Sequence, residues 1–418
     1  MGEPVRPGGV RAAVLVRNPA FWVVVALLVA GAVRIAQIAG RFFEAYPLAT
    51  LTAIGLFALL AVPFWLFVSE LDFLEREPPS LRVVAFAWGG LVATTVSIPA
   101  STALDNLIAK LGSPGFAADW GAALAGPTVE EIAKTLGVIA IVLIARAQVN
   151  SVLDGVVYGA LVGLGFQIVE DVVFAIGAVA LAGQGDQIQP VITTFLVRGF
   201  LAGVWSHTLF GALAGAGIGY LVVNPDRTRR HRIGMAGLAL FGAWASHVLW
   251  NSPLFRDGLG NGAIALLAVL VFKGLPPLLL ILYLVRRAHD REAAYYVAKL
   301  ATLRDPTLIT ENELKVLGSG SRRAAARRHA AAQAGRRARA TVRRLQRAQA
   351  RLAVDLSRSD GMATSATQVR EHRARLEELG HPEAVEGTPS VWHTVSAVGT
   401  TAVAIAVVWV ALSALGGG

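Results

Sequence analysis

Two glutamates and a lysine stand close together within an otherwise apolar stretch of this chain: Glu130, Glu131 and Lys134. Lys134 follows Glu130 by four residues, so on a helix the two share a face and can form an ion pair. Glu130 and Glu131 lie about 100° apart around a helix, so they should not share a face. One glutamate can then act in a reaction while the other holds a neighbouring helix. The alternative is a buried Glu–Lys pair that only fixes helix packing.

A second pair of acids, Glu170 and Asp171, also interrupts apolar sequence. Phe166 precedes Glu170 by four residues and therefore lies on the same helix face. Carboxylates accept protons in hydrolysis and also bind metal ions. Taken alone, Glu170 could equally be an acid at a helix end, near the membrane interface.

Histidines follow in the next two apolar stretches, at His207 and His247, and Asn251 lies one helical turn after His247. A lone histidine in a membrane helix is more often a hydrogen-bond partner than a metal ligand. Two histidines on consecutive segments, together with two pairs of acids, indicate instead a polar site built by several helices. An ionisable group at mid-bilayer costs about 2.5–3.5 kcal/mol, so each of these residues needs a reason to be there.

The elements that must position these residues are membrane helices. Hydrophobic residues make up 55% of the 418 residues and charged residues 16%, whereas a soluble domain usually carries about 25% charged residues. The mean hydropathy is +0.57. The apolar residues form blocks long enough to cross a bilayer core of about 30 Å. The chain has no cysteine, which excludes disulfides, thiolate metal sites and thiol nucleophiles.

We predict an all-α polytopic membrane protein. An eight-helix transmembrane core is expected at residues 1–286, a basic cytoplasmic tail at 287–390 and a C-terminal ninth transmembrane span at 391–418. The first apolar block could also be a signal peptide, but we interpret it as a retained helix. The predicted spans lie near 19–39, 48–71, 82–104, 121–145, 153–182, 192–222, 233–251 and 262–285, with the ninth near 392–414.

The arginines of the short loops predict the orientation, because cytoplasmic loops are enriched in Lys and Arg. They precede the first span and follow the second, fourth, sixth and eighth, so the N-terminus is predicted to be cytoplasmic, although Arg34 and Arg41 disagree with this pattern. In this orientation the outer half of the bilayer receives Glu130, Glu131, Glu170, His207, His247 and Asn251.

Glycines recur every four residues in spans five and six, and His207 continues the series in span six. Small residues at this spacing let helix backbones touch in a bilayer. We therefore expect the histidine-bearing stripe of span six to face other helices.

Residues 287–390 carry 20 Lys and Arg against 12 Asp and Glu. Within them, residues 321–351 hold 11 Arg and no acid in Ala-rich sequence that favours a helix. The favoured interpretation is a solvated basic helix attracted to anionic lipid headgroups. A cytosolic partner or nucleic acid is the less favoured alternative, because arginine clusters alone do not specify RNA.

The order of the polar motifs resembles that of PrsW-type intramembrane proteases, and through them the superfamily of CAAX prenyl endopeptidases and bacteriocin-immunity proteins. Glu170 stands where the second motif of that superfamily usually has His, as is typical of the PrsW branch. The resemblance covers roughly residues 50–255. Its motifs are Glu-Glu-x-x-Lys at 130–134, Gly-x-Gly-Phe with a following Glu at 163–170, His207 before a glycine-rich span, and His-x-x-x-Asn at 247–251.

This resemblance implies an endopeptidase that hydrolyses peptide bonds of membrane-anchored proteins, in the plasma membrane of a bacterium. Glu130 would take the proton from water, and the two histidines with Asn251 would polarise the scissile carbonyl. Alternatively, Glu170, His207 and His247 would bind Zn²⁺, since a catalytic zinc site needs three such ligands. The expected catalytic residues are Glu130, Glu131, His207, His247 and Asn251, with Lys134 and Phe166 in supporting positions.

Two other classes of function stay open. Intramembrane Glu and His residues also form proton relays, so a proton-coupled membrane transporter is the main alternative. Pro127 could break span four, as in the interrupted helices of transporters. A non-catalytic scaffold that displays the basic tail is the third interpretation.

Overall fold

A computed structural model describes residues 17–71, 77–202, 207–254, 269–358 and 362–386, and all regular structure in these ranges is helical. The described residues form two compact units, which divide between Leu284 and Val285. In chain order the helices are α1 (Pro19–Ala45), α2 (Pro47–Leu71), α3 (Pro79–Ala87), α4 (Thr94–Leu111), α5 (Pro114–Ala145), α6 (Val152–Ala182), α7 (Gln189–Thr194), α8 (His207–Val223), α9 (Arg229–Asn251), α10 (Leu275–Leu300), α11 (Glu311–Leu317), α12 (Gly320–Arg358) and α13 (Met362–Glu378).

Five described stretches are long and apolar enough to cross a membrane. They coincide with the predicted spans one, two, three, five and seven, and they are Pro19–Ala45, Pro47–Leu71, Pro79–Leu111, Val152–Ala182 and Arg229–Asn251. Large apolar side chains on their outer faces are exposed, for example Leu51, Leu59 and Phe67 on α2. Such exposure suits a lipid environment, because lipid tails are as apolar as leucine.

The eight-helix core is not established in full. Helix α5 has 32 residues, enough to span a bilayer. Its charged residues make it more polar than the five stretches above, so it is not counted among them. The predicted sixth span consists of α7, a π-helical segment at Phe195–Ala202 and α8, with 203–206 outside the described residues. The start of the eighth span, the whole ninth span and the arginines before Arg17 also lie outside the described residues.

Side-chain caps define where several of these helices begin. Ser113 accepts a hydrogen bond from the backbone of Phe116 at the start of α5, at 3.1 Å, with Pro114 as the first helical residue. Ser151 and Asp154 form a reciprocal capping box at the start of α6. A cap of this kind supplies acceptors for backbone amides that have no partner within the helix. Helix α5 then continues through Pro127, so the break that Pro127 could have introduced in span four is not present.

Helix α6 packs against α8 through glycines. A Cβ atom added to Gly159 would overlap the carbonyl oxygen of Gly211 and would lie 2.9 Å from the Cα of Gly215. Similar close approaches involve Gly155 and Gly163 on α6. The expectation that the glycine ladders of spans five and six mediate close helix packing is confirmed for Gly155, Gly159 and Gly163 on α6 and for the glycines of α8 that face them. It does not hold for Gly199, whose added Cβ would meet the side chain of Leu60 on α2 at 3.1 Å. Because Gly163 lies against the backbone of His207, this packing also sets the position of that histidine.

Two π-helical segments flank α6. At Trp88–Ala93, Gly90 lies so close to α6 that an added Cβ would be 3.0 Å from the carbonyl oxygen of Gly165. Trp88 donates a hydrogen bond from Nε1 to the carbonyl oxygen of Ala133 on α5, at 3.0 Å. The segment thus connects α5 and α6. Short π-helical stretches of this kind occur frequently at functional sites.

The second unit has a hydrophobic core of its own, to which α10, α11, α12 and α13 contribute. Leu345, Leu352 and Leu376 are fully buried in it. Glu313 on α11 forms a buried ion pair with Arg373 on α13, at 2.6 Å. The Arg-rich segment is therefore helical, as predicted, but it is part of a folded helical unit and not a solvated single helix.

Candidate functional site

Helix α5 supplies three charged side chains to a buried polar cluster. Lys134 Nζ lies 2.6 Å from Glu131 Oε1, one turn away on the same helix, and donates to His207 Nδ1 at 3.0 Å. The predicted ion pair between Lys134 and Glu130 is therefore replaced by one between Lys134 and Glu131. The reason is that residues three apart on a helix are also neighbours, and this pairing leaves Glu130 free to face the histidines.

His247 on α9 is held by the same glutamate. Its Nδ1 lies 2.8 Å from Glu131 Oε1, and since a carboxylate only accepts, Nδ1 carries the proton. In the neutral ring Nε2 then has the lone pair, and it accepts from Nδ2 of Asn251 at 3.3 Å. One turn earlier on both helices, Trp244 Nε1 donates to Thr128 Oγ1 at 3.0 Å. These contacts fix α9 against α5.

His207, the first residue of α8, is hydrogen-bonded in the same way as His247, but the roles of its two ring nitrogens are exchanged. Its Nε2 lies 2.9 Å from Glu170 Oε2 on α6, so Nε2 carries the proton. Its Nδ1 accepts from Lys134, whose ammonium group can only donate. Each histidine thus gives one N–H to a carboxylate and has its lone pair on the ring nitrogen nearer Glu130, where it accepts a hydrogen bond from Asn251 or Lys134.

Glu130 lies between the two lone pairs. Its Oε2 is 3.8 Å from His207 Nδ1 and 3.8 Å from His247 Nε2. This oxygen is buried and has no hydrogen-bond partner among the described residues. Ligand atoms of Glu130, His207 and His247 all lie within 4.8 Å of one another, near enough to hold a metal ion. Although Glu130 and Glu131 are adjacent in sequence, both lie next to the ring of His247: Glu131 beside Nδ1 and Glu130 beside Nε2.

Aromatic rings enclose the histidines. Phe210 stacks on His247 with ring centroids 4.9 Å apart. Phe166 lies 5.0 Å from the His207 ring, and its ring centroid is 4.8 Å from Lys134 Nζ. The predicted supporting positions of Phe166 and Lys134 therefore lie in direct contact with the cluster. An apolar surround strengthens the electrostatic interactions inside it.

Arg198 was not anticipated from the sequence. It lies in the π-helical segment Phe195–Ala202, and its guanidinium group contacts Glu170 at 2.6 Å and Asp171 at 2.5 Å. Phe174 covers it at 4.0 Å from the ring centroid. The signal was available, because a single arginine inside an apolar span requires an acidic partner and the next span back contains two adjacent acids.

The structure brings all the predicted site residues of α5, α6, α8 and α9 together, but it changes the metal-ligand set. The expected ligands were Glu170, His207 and His247. Glu170 is instead engaged by Arg198 and by the proton-bearing nitrogen of His207, which is the ring nitrogen away from Glu130. The group whose ligand atoms lie within 4.8 Å of one another contains Glu130 in place of Glu170.

Comparison with known proteins agrees with this cluster. No curated protein and no solved structure matches the chain significantly. A protein-family model matches the chain over 200 of its 418 residues. The matched segment includes every residue of the cluster and ends before the Arg-rich region. The match does not extend to CAAX prenyl endopeptidases or bacteriocin-immunity proteins, so that wider relation is not supported. Residues 77–276 of this chain match the PrsW family of intramembrane metalloproteases.

Proposed function

We propose that the chain is an intramembrane endopeptidase that cleaves membrane-anchored proteins, with Glu130, His207 and His247 at its reaction centre. The observation that carries this proposal is the position of Glu130 Oε2, which is buried without a hydrogen-bond partner among the described residues and 3.8 Å from a lone-pair nitrogen of each histidine. The protease family matched by residues 77–276 supports the same function.

The three residues fit a divalent metal ion. One carboxylate and two neutral imidazoles are ordinary zinc ligands, and three protein ligands leave a position for water. Each histidine gives its other N–H to a carboxylate, as metal-bound histidines commonly do. Lys134 donates to His207 Nδ1, and Asn251 Nδ2 donates to His247 Nε2. Both hydrogen bonds must be released before these nitrogens can bind an ion. We propose Zn²⁺ as the ion.

The charges of the cluster also favour a bound divalent cation. When ionised, its four carboxylates (Glu130, Glu131, Glu170, Asp171) outnumber its two cations (Lys134, Arg198) by two. With both histidines neutral, two negative charges are left uncompensated in a low-dielectric region, which is costly. A divalent cation would cancel them.

The side chains divide the work of hydrolysis. A bound ion would supply electrophilic activation of water and of the scissile carbonyl. In the metal-free alternative, Glu130 Oε2 is the atom that we assign to accept the proton of the attacking water. Glu131 and Glu170 fix the tautomers of His247 and His207, and the amide of Asn251, next to His247, can donate to the developing oxyanion.

The transporter alternative is not favoured. The break in span four that would have supported it is missing, because α5 continues through Pro127. The family matched by residues 77–276 consists of proteases. The membrane orientation, the bacterial plasma membrane and the three-part domain division remain predictions.

Cleavage of co-expressed single-span proteins in isolated membranes tests this function. We expect Glu130→Gln and His247→Ala to lower the cleavage rate at least about 100-fold, the usual size of a general acid–base contribution. Asp119→Asn is the matched control, because Asp119 is an exposed acid on the same helix, and it should stay within about twofold. Full cleavage by the Glu130 and His247 variants, with normal insertion, would disprove the proposal.

Metal content gives a readout that does not depend on activity. The purified protein should hold about one zinc ion per chain by elemental mass spectrometry, and His207→Ala or Glu130→Gln should lose it. A chelator should abolish cleavage, and added Zn²⁺ should restore it. If the wild type cleaves without any bound metal, Glu130 acts directly as the general base and the zinc assignment is wrong.

A further inference from the structure

Helix α12 is a hairpin of two antiparallel segments. Its backbone leaves the helical conformation at Ala334 and Gly335, where Gly335 has φ 80°, a value that strongly favours glycine. Across the hairpin, Gln346 Nε2 donates to the carbonyl oxygen of Arg323 at 3.3 Å. Residues about equally far from the turn therefore face each other, which places Arg343 within one residue of the position opposite Arg327.

This hairpin gathers five arginines into what we call the arginine cluster: Arg323, Arg327, Arg328, Arg339 and Arg343. Arg328 and Arg339 are exposed, and Arg327 and Arg343 are half-buried. Arg323 is buried and donates to the carbonyl oxygen of Leu317 at 2.6 Å. The hairpin segment 321–351 contains no acidic residue, so it cannot neutralise the cluster itself.

The arginines of the cluster repel one another, and this repulsion acts on the pKa of Arg327. Burial first, and then the charges of the four other arginines, lower the pKa of Arg327 from its ordinary value to about 10. Since this pKa lies below that of an arginine in the unfolded chain, folding disfavours the protonated form at neutral pH. A bound anion would relieve this repulsion.

Phosphate is the anion that such a cluster suits best, because guanidinium groups bind it with paired hydrogen bonds. Two observations favour phospholipid over nucleic acid. Residues 321–351 contain no Phe, Tyr or Trp, the side chains on which unpaired bases stack. The hairpin also begins only 36 residues after Leu284, the last described residue of the unit that contains the apolar helices, so a short linking chain tethers it to a membrane-inserted unit and raises its effective concentration at lipid headgroups.

We propose that the arginine cluster is a docking site for the phosphates of anionic phospholipids. The site lies in the second unit and is independent of the proteolytic centre. It refines the general attraction of the Arg-rich region for lipid headgroups to a defined face of the α12 hairpin. Two exposed arginines of the same unit, Arg370 and Arg375, lie outside the hairpin beside Asp305 and Glu378 respectively.

The full-length protein in nanodiscs of neutral phosphatidylcholine provides the test. Its co-sedimentation with sucrose-loaded vesicles is measured for vesicles with and without about one-third phosphatidylglycerol. Binding is expected only to the anionic vesicles. The double substitution Arg327→Gln/Arg343→Gln should weaken it about 30-fold, from about 1 kcal/mol for each basic residue near an anionic surface. The control Arg370→Gln/Arg375→Gln removes the same charge and should weaken binding less than about threefold.

Equal losses in both double variants would overturn the proposal, because the effect would then reflect net charge alone. Displacement from vesicles by millimolar inorganic phosphate would also overturn it and would identify a free-phosphate site. Cluster-dependent binding of a labelled single-stranded oligonucleotide, without vesicle binding, would replace lipid by nucleic acid. Helical circular dichroism checks folding, and Arg339→Gln, at an exposed position, serves if the double variant unfolds.

Discussion

Each histidine of the cluster has two different neighbours, a carboxylate on one ring nitrogen and Glu130 near the other. For His207 the carboxylate is Glu170, and for His247 it is Glu131. Such partners orient a ligating ring, and their loss typically lowers metal affinity about 10–100-fold. The chemistry of the site therefore depends on residues that are not expected to touch the substrate.

Arg198 is a positioning residue of this kind, because it holds Glu170, which holds His207. We predict that Arg198→Gln lowers zinc affinity about tenfold or more and reduces kcat with little change in KM, since the ring of His207 loses its fixed orientation. Arg198→Lys should recover part of both. Zinc affinity is measured by competition with a fluorescent chelator.

The control for this prediction is Arg34→Gln, because Arg34 is exposed and donates a hydrogen bond to the neighbouring Gln37 at 3.4 Å, away from the polar cluster. It should leave zinc affinity unchanged. If Arg198→Gln lowers only the unfolding temperature and leaves zinc affinity and kcat intact, Arg198 is merely structural.

At the scale of helices, the contact between α6 and α8 determines where His207 lies. Helix α8 begins at His207, and the backbones of the two helices meet at glycines along their length. Any side chain larger than hydrogen at these positions meets backbone atoms, which cannot move aside as a flexible side chain can. Packing at this contact and catalysis at His207 should therefore be sensitive to the same substitutions.

Gly159→Ala tests this dependence. Its Cβ would lie 2.9 Å from backbone atoms of Gly211 and Gly215, so we predict a loss of about 1–3 kcal/mol in the free energy of unfolding, the usual cost of overpacking. Gly177→Ala is the matched control on the same helix, because nothing lies within 4 Å of its added Cβ. It should be neutral or slightly stabilising. Unfolding in detergent micelles by increasing denaturant measures both; equal stabilities would refute the close-packing argument.

For the whole molecule, the two compact units carry separate properties. All residues of the proposed reaction centre lie between Glu130 and Asn251, in the first unit, and the arginine cluster lies entirely in the second. Each unit also has buried hydrophobic residues of its own. Proteolysis and lipid docking should therefore be separable by truncation.

We predict that a chain ending after Arg287 inserts into membranes, keeps about one zinc ion per chain and cleaves a co-expressed substrate within about threefold of the full-length rate. It should no longer bring neutral nanodiscs to anionic vesicles. Metal analysis and the cleavage assay check the first part. Loss of zinc from a correctly inserted truncated chain would mean that the second unit is needed to form the site.

The sequence by itself determined which residue types enter the membrane helices. Long apolar blocks predicted helices because a bilayer leaves the backbone few other ways to satisfy its hydrogen bonds. The same cost made Glu130, Glu170, His207 and His247 conspicuous within those blocks. Four-residue glycine spacing likewise predicted that the stripe of α8 carrying His207 faces other helices, since this period follows from helix geometry alone.

Only the tertiary structure decided how these residues pair. Lys134 lies within reach of both glutamates of its helix, and the choice of Glu131 depends on His207 and His247 arriving from α8 and α9. The proposed ligand role of Glu130 and the proposed positioning role of Arg198 follow from distances across helices, which no spacing along the chain encodes. The turn that folds α12 into a hairpin is likewise stabilised by contacts between its two segments. Interactions between residues far apart in sequence depend on packing, and packing is determined by the whole fold.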